Sequence, residues 1–135
     1  MSSQGAAGAV QKLRYEDLTR EIIGAAIEVH KMVGPGLLEG VYEECLCHEL
    51  KLRNLSFERQ LVVPITYKGV ALDCGYRLDV VVESTVILEL KSVDRIHPIF
   101  EAQLLTYMRL LQIPVGLLIN FNVPILRSGI VRKVL

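Results

Sequence analysis

Residues 76–91 read YRLDVVVESTVILELK, two apolar runs separated by Glu83-Ser84-Thr85. Val and Ile dominate both runs, which is the composition of strands packed on a half-buried surface. The spacing predicts a hairpin of two strands, Tyr76–Val82 and Val86–Lys91, turning at Ser84-Thr85. Glu89 and Lys91 are two residues apart and project from one face. The reversal of the chain returns Glu89 to the level of Asp79. Whether the two carboxylates stand directly opposite or diagonally depends on the length of the turn.

Upstream of the hairpin, Leu18, Ile22, Ala25, Val29 and Val33 recur at intervals of three and four, the mark of an amphipathic helix. Gly34-Pro35-Gly36 ends it, because Gly supplies a left-handed exit and Pro cannot continue the ladder. A second helix is expected from Leu37 or Leu38 to about Arg53, with a buried stripe of Leu38, Tyr42, Cys45/Leu46 and Glu49/Leu50. Residues 57–67 then read as a strand that Pro64 places on an edge or at a bulge, with Lys68-Gly69 turning into 70–73. Downstream, residues 98–111 are helical, with Ile99, Ala102, Leu105, Met108 and Leu111 to one side and Pro98 in the first turn. Val115–Asn120 is a central strand, apolar on both faces, and the tail from Pro124 adds a last short strand. The order α-α-β-β-β-β-α-β predicts an α/β fold, a mixed β-sheet flanked by helices.

The chain has 135 residues, the size of one domain: a flexible lead-in over residues 1–14 and a single domain over 15–135. Fifteen Lys and Arg balance fifteen Asp and Glu, and 51% of the residues are apolar. That excludes a disordered chain, and charges interrupt every apolar run before it could span a membrane. It also excludes a polybasic nucleic-acid binder. Residues 1–67 carry seven basic and nine acidic groups, and the remainder eight and six. Any nucleic-acid contact must therefore come from a local patch, for which Arg127, Arg132 and Lys133 are candidates, having no acidic neighbours in sequence. Cys45, Cys47 and Cys74 cannot all pair, and MSSQGAAGAV lacks the features of a secretory signal, so a reducing, cytoplasmic setting is expected. Zinc at Cys45-Leu46-Cys47-His48 is disfavoured: helical i and i+2 side chains point about 200° apart, and buried apolar thiols are the expected role.

The chemistry lies in Asp79, Glu89 and Lys91. Two carboxylates brought together repel and raise each other's pKa unless a cation lies between them. Mg²⁺ suits such a site, since it takes one or two carboxylates, waters and phosphate oxygens. An ordinary surface ion-pair ladder would use the same residues, but Glu89 sits in Val-Ile-Leu-Glu-Leu, where an unpaired carboxylate is expensive.

Asp79…Glu89-Leu90-Lys91 resembles the D…(D/E)xK core of the PD-(D/E)xK nuclease superfamily. Gln103-Leu104-Leu105-Thr106-Tyr107 resembles the QxxxY element of its RecB-like branch, and Gly36-Leu37-Leu38-Glu39-Gly40-Val41-Tyr42 the motif of the GxxExxY proteins. The resemblance spans about Leu18 to Arg132. It implies a restriction-endonuclease-like core and a nuclease that cleaves nucleic acid, with DNA favoured over RNA. It implies Mg²⁺ or Mn²⁺ as cofactor, held by Asp79, Glu89, the Leu90 carbonyl and Glu39. Lys91 would act on the attacking water and the phosphorane charge, while Gln103 and Tyr107 hold Lys91 and the substrate. Leu78 replaces the Pro of the superfamily name, and His97 and Phe100 fall where a His often precedes Glu-Ala-Gln by one position. By default, Gln103 and Tyr107 would be an interior hydrogen bond and a packed ring, Glu39 a helix-dipole carboxylate, His30 a packed side chain, and Glu43, Glu44 and Glu49 a solvated face. A second reading is a catalytically silent nuclease-fold interaction or assembly module, for which the many Leu and Val positions would suit a homodimer.

Overall fold

The computed structural model describes the backbone of residues 3–73 and 75–135 and the side chains from Tyr15 onward, residue 74 excepted; the expectations for Met1, Ser2 and Cys74 fall outside the described residues. Among the described residues, three α-helices and seven strands follow in the order α1 (Ser3–Val33), α2 (Glu39–Leu52), β1 (Phe57–Val62), β2 (Ile65–Tyr67), β3 (Val70–Leu72), β4 (Arg77–Val82), β5 (Val86–Lys91), α3 (Pro98–Leu111), β6 (Val115–Asn120) and β7 (Ile130–Val134). A short 3-10 turn, Leu126–Gly129, leads into β7. The main sheet has the order β1-β4-β5-β6-β7. β5 and β6 run parallel and the other neighbours antiparallel, so the sheet is mixed. This is the α/β architecture of a restriction-endonuclease-like core.

The helices cover both faces. Ile22, Ala25, Ala26 and Val29 of α1 and Tyr42, Leu46 and Leu50 of α2 pack on Val80, Val82, Leu88, Leu90, Leu117 and Ile119. Leu104 and Met108 of α3 pack on Val81, Ile87 and Leu118 from the other side. Every residue of β6 is buried, as an interior strand requires. At Gly116 the α3 side chains come so close that a Cβ would meet Met108 Sδ at 2.7 Å and Leu104 Cδ1 at 2.8 Å. Glycine sets the distance between that helix and the sheet.

Several boundaries differ from expectation. α1 begins at Ser3, not near Leu18, and residues 3–14 have helical backbone. Ala6, Ala7 and Ala9 favour helix, and extending an existing helix needs no new nucleation. The strand expected over 57–67 breaks at Val63-Pro64, because Pro64 has no N–H for a ladder. Its second half pairs with β3 around Lys68-Gly69 as a separate two-stranded sheet, while β1 takes the sheet edge. Lys68 and Gly69 both have positive φ, 48° and 82°, the geometry of a tight hairpin turn.

Two helices are rotated from their expected stripes. Leu38 is 79% exposed at the N-cap of α2, and the buried set is Tyr42, Glu43, Leu46, Cys47 and Leu50. On α3 the buried line is Leu104 and Met108; Ile99 is 58% exposed and Ala102 exposed, with Leu105 and Leu111 half-buried. Contacts from distant elements set both rotations: Arg59 and Gln60 engage Glu43 on α2, and the close approach at Gly116 brings Leu104 and Met108 of α3 onto the sheet. Burial also pushes the Cys47 thiol up to about 11, in keeping with a role as an apolar filler. His30 is packed, with Nε2 at 2.8 Å from the Val123 carbonyl oxygen.

Tyr42 secures the turn between the first two helices. Its ring stacks on Phe121 at 4.3 Å, its hydroxyl donates to the Gly34 carbonyl at 2.6 Å, and it accepts from the Leu37 N–H at 3.1 Å. Tyr42→Phe keeps the stack but strips partners from two backbone groups. We expect it to cost about 1–3 kcal/mol, read as a lower urea midpoint at unchanged slope; an unaltered midpoint would mean that water replaces the hydroxyl.

Candidate active site

The β4–β5 hairpin decides where the acidic residues meet. Glu83 and Ser84 both take left-handed backbone, φ 51°, and the Thr85 N–H donates to the Val82 carbonyl at 2.9 Å. The turn therefore lies one residue earlier than Ser84-Thr85. Val82 pairs with Val86, Val81 with Ile87 and Val80 with Leu88. One further step of that register sets Asp79 directly opposite Glu89. Alternation from Ile87 turns Glu89 and Lys91 to the α3 face.

Glu89 is 5% exposed, and its Oε1 has no hydrogen-bond partner among the described residues. Burial, then the charge of Asp79, raise its pKa to about 8, against the pull of Lys91. Asp79 is raised as well, chiefly by burial, although the Leu90 N–H donates to its Oδ2 at 2.8 Å and stabilises the ionised form. With both pKa values raised, the facing pair resists carrying two charges at once. Such a pair is poised to accept a cation.

Lys91 is half-buried, its Nζ over the Phe100 ring at 4.4 Å from the centroid. His97, at the N-cap of α3, meets Phe100 edge-on at 5.8 Å. Tyr107 stacks on Tyr76 at 4.4 Å, walling the α3 side of the site. Gln103 stands one turn before Tyr107, half-buried, with no hydrogen bond to Lys91 among the described residues. The loop after Lys91 is pinned by buried Asn120, which accepts from the Val93 N–H at 3.0 Å and donates to the Val93 carbonyl at 2.9 Å. The Phe121 N–H donates to the Lys91 carbonyl at 2.9 Å.

Glu39 is exposed at the first position of α2. The Ser92 hydroxyl donates to the Leu37 carbonyl at 2.6 Å and ties the segment before Glu39 to the end of β5. The helix carboxylate that Asp79 senses is instead Glu43, whose charge helps raise the Asp79 pKa. Glu43 is 8% exposed and fully engaged. Arg59 donates to its Oε2 at 2.7 and 3.1 Å, and Gln60 to its Oε1 at 2.8 Å. Glu43 thus corrects the expectation of a solvated face, as does Glu49, which receives Arg53 Nε at 2.9 Å; Glu44 is 71% exposed. Gln60 has a left-handed backbone, φ 54°, in the β1 position that faces Asp79 between the pairs Arg59–Val80 and Leu61–Leu78. A strained residue beside the buried Glu43 and the half-buried Asp79 is typical of functional sites. The sequence signal for Glu43 is its place one residue after Tyr42 on a buried helix face.

Asp79 and Glu89 suit a hard divalent ion: they supply oxygen donors, and one buried acceptor lacks a partner. Among the described residues, no three His, Cys, Asp or Glu side chains come together closely enough to hold an ion among them. Two carboxylates with waters remain an ordinary donor set for Mg²⁺.

A family model described as the PD-(D/E)XK nuclease superfamily matches residues 16–133. No curated protein and no solved structure matches the chain. No helix among the described residues is long and apolar enough to cross a membrane.

Proposed function

Because the chain belongs to the PD-(D/E)XK nuclease superfamily, we propose that it is a Mg²⁺- or Mn²⁺-dependent nuclease hydrolysing phosphodiester bonds of nucleic acid, DNA ahead of RNA. The observation that carries this reading is the buried Glu89 carboxyl, facing Asp79 with one oxygen unpartnered. Asp79, Glu89 and the Leu90 carbonyl would hold the ion, with Glu39 reaching its water shell. When bound, the ion supplies Lewis-acid polarisation of the phosphoryl oxygen and a lowered water pKa.

The chain's own groups do the rest. Lys91, its ammonium over the Phe100 face, orients the attacking water and meets the negative charge that develops on the phosphoryl oxygens. Asp79 and Glu89 keep their negative charge close to the reacting phosphorus only when a cation offsets it. Tyr76 and Tyr107 form an apolar wall that limits water on the α3 side. Gln103 and Tyr107, one turn apart on α3, would position the substrate strand and, once it is bound, Lys91. Gln103→Ala should therefore lower cleavage about 10–100-fold without shifting the thermal midpoint; a drop in midpoint would mark Gln103 as a packing residue.

Calorimetric titration with Mn²⁺ tests the reading. The parent should bind the ion at millimolar concentration or below, and Asp79→Ala should abolish the heat. A silent titration would instead favour a catalytically inactive interaction module, the reading to which exposed Met32, Leu38 and Val41, at 75%, 79% and 42% exposure, lend weight. Those apolar side chains suit a homodimer.

A further inference from the structure

We propose that the cleft between α1 and the C-terminal tail binds a phosphate group carried by a nucleotide. The cleft has a volume of about 450 Å³ and lies between Thr19, Arg20 and Ile23 of α1 and Arg127 and Arg132 of the tail. Arg132 pairs with Leu117, whose side chain packs among the α1 and α2 residues. The cleft thus lies on the helix α1 face of the sheet, away from Asp79 and Glu89.

Two independent features point to an anion. The first is charge. Arg127 and Arg132 make no ion pair among the described residues, and Arg20 has only an exposed, 3.5 Å contact with Asp17. Lys133, by contrast, is taken by Glu101 at 2.9 Å, which removes it from the basic trio seen in the sequence. Glu16 also lines the cleft and opposes an anion, but the three guanidinium groups leave it net positive. Planar guanidinium forks match phosphate oxygens in pairs.

The second feature is Thr19. It is 4% exposed, lines the cleft, and its Oγ1 has no partner among the described residues. Buried hydroxyls are nearly always hydrogen-bonded, and a Thr on a helix commonly satisfies itself on the preceding turn. Its oxygen is closed to solvent in the unliganded chain, so a phosphate oxygen in the basic cleft would satisfy it once χ1 turns the hydroxyl toward the ligand. Ile23, Gly24 and Ile27 give the same cleft an apolar floor. That floor suits a sugar and base attached to the phosphate better than a bare ion. The inference does not rest on the nuclease reading.

The test is calorimetric titration of the full chain in EDTA, with adenosine 5′-monophosphate, inorganic phosphate and adenosine as probes. The monophosphate should bind, inorganic phosphate should bind severalfold more weakly, and adenosine should give no heat. Arg127→Ala combined with Arg132→Ala, both exposed positions, should weaken monophosphate binding at least tenfold. Thr19→Val should weaken it severalfold while melting at or above the parent without ligand, because a free hydroxyl is replaced by a methyl. An unphosphorylated oligothymidine that competes with the monophosphate would assign the group to a strand backbone. Lack of competition would assign the site to free nucleotides, and either result supports it. No binding at millimolar monophosphate, equal binding of adenosine, or an arginine variant that binds like the parent would each overturn the proposal. Because Asp79 and Glu89 are unchanged in these variants, failure here leaves the Mn²⁺ titration standing.

Discussion

Lys91→Ala is expected to slow cleavage about 100–1000-fold, equivalent to about 2.7–4 kcal/mol of barrier, the usual loss when one preorganised charge is removed from a developing oxyanion. Lys91 projects to the same face as Glu89 and lies over Phe100, an aromatic surface that holds its ammonium without neutralising it. Because the ammonium cannot ligate a cation, Mn²⁺ affinity should change little. Removing the positive charge next to Glu89 should push that carboxyl further up, since Lys91 opposes its shift. The fall in rate should thus be accompanied by a shift of the acidic limb of the pH–rate profile to higher pH. Single-turnover cleavage of a plasmid and of a ribosomal RNA transcript over a pH series would measure both. Parental rates at every pH would reduce Lys91 to a surface cation.

Glu89→Gln should stabilise the metal-free protein above pH 8 by at least about 1 kcal/mol, with the effect vanishing near pH 5. Its sign follows from proton linkage. The Glu89 pKa is raised from its ordinary 4.5 to about 8, so between those values the folded chain keeps a proton that the unfolded chain has released. The stability associated with this group is therefore complete below pH 4.5 and is lost as pH rises toward 8. Gln has no such transition, so the two proteins diverge with rising pH. Adding millimolar Mg²⁺ or Mn²⁺ at pH 8 should invert the order, since only the parent gains full binding free energy. Thermal melts in EDTA and in metal, each at pH 5.5 and 8.5, give the four comparisons. A variant less stable than the parent in EDTA at pH 8.5 would mean that Lys91 satisfies Glu89 as an ordinary ion pair, and the metal assignment would fall.

Much of the fold can be read from local pattern. The Gly34-Pro35-Gly36 break, the limits Pro98–Leu111 of α3, the two apolar runs of 76–91 and the apolar run 115–119 each depend on neighbours within a few residues, and each has its expected element. The meeting of Asp79 and Glu89 is of the same kind, because a hairpin joins them. What local pattern leaves open is rotation and register. On α2 the apolar set leaves two faces nearly equivalent, one through Cys45 and one through Glu43. Only contact with Arg59 and Gln60 on β1 makes burial of Glu43 tolerable, and both lie more than ten residues away. On α3 the close approach at Gly116 draws Leu104 and Met108 inward and leaves Ile99 outside.

Residue type and spacing alone were enough to place two carboxylates and an amine on one hairpin, because strand alternation and chain reversal are short-range rules. They were also enough to predict a mixed sheet covered by helices. The direct opposition of Asp79 and Glu89 required the turn at Glu83-Ser84, since one residue more or less would slide the pair apart. The raised Glu89 pKa, the engagement of Glu43 and the solitary Thr19 hydroxyl arose only when distant elements closed over these groups. Burial is a property of the assembled layers: water is excluded by helices and strands far apart in the chain, and no local run of residues specifies how much of it is lost.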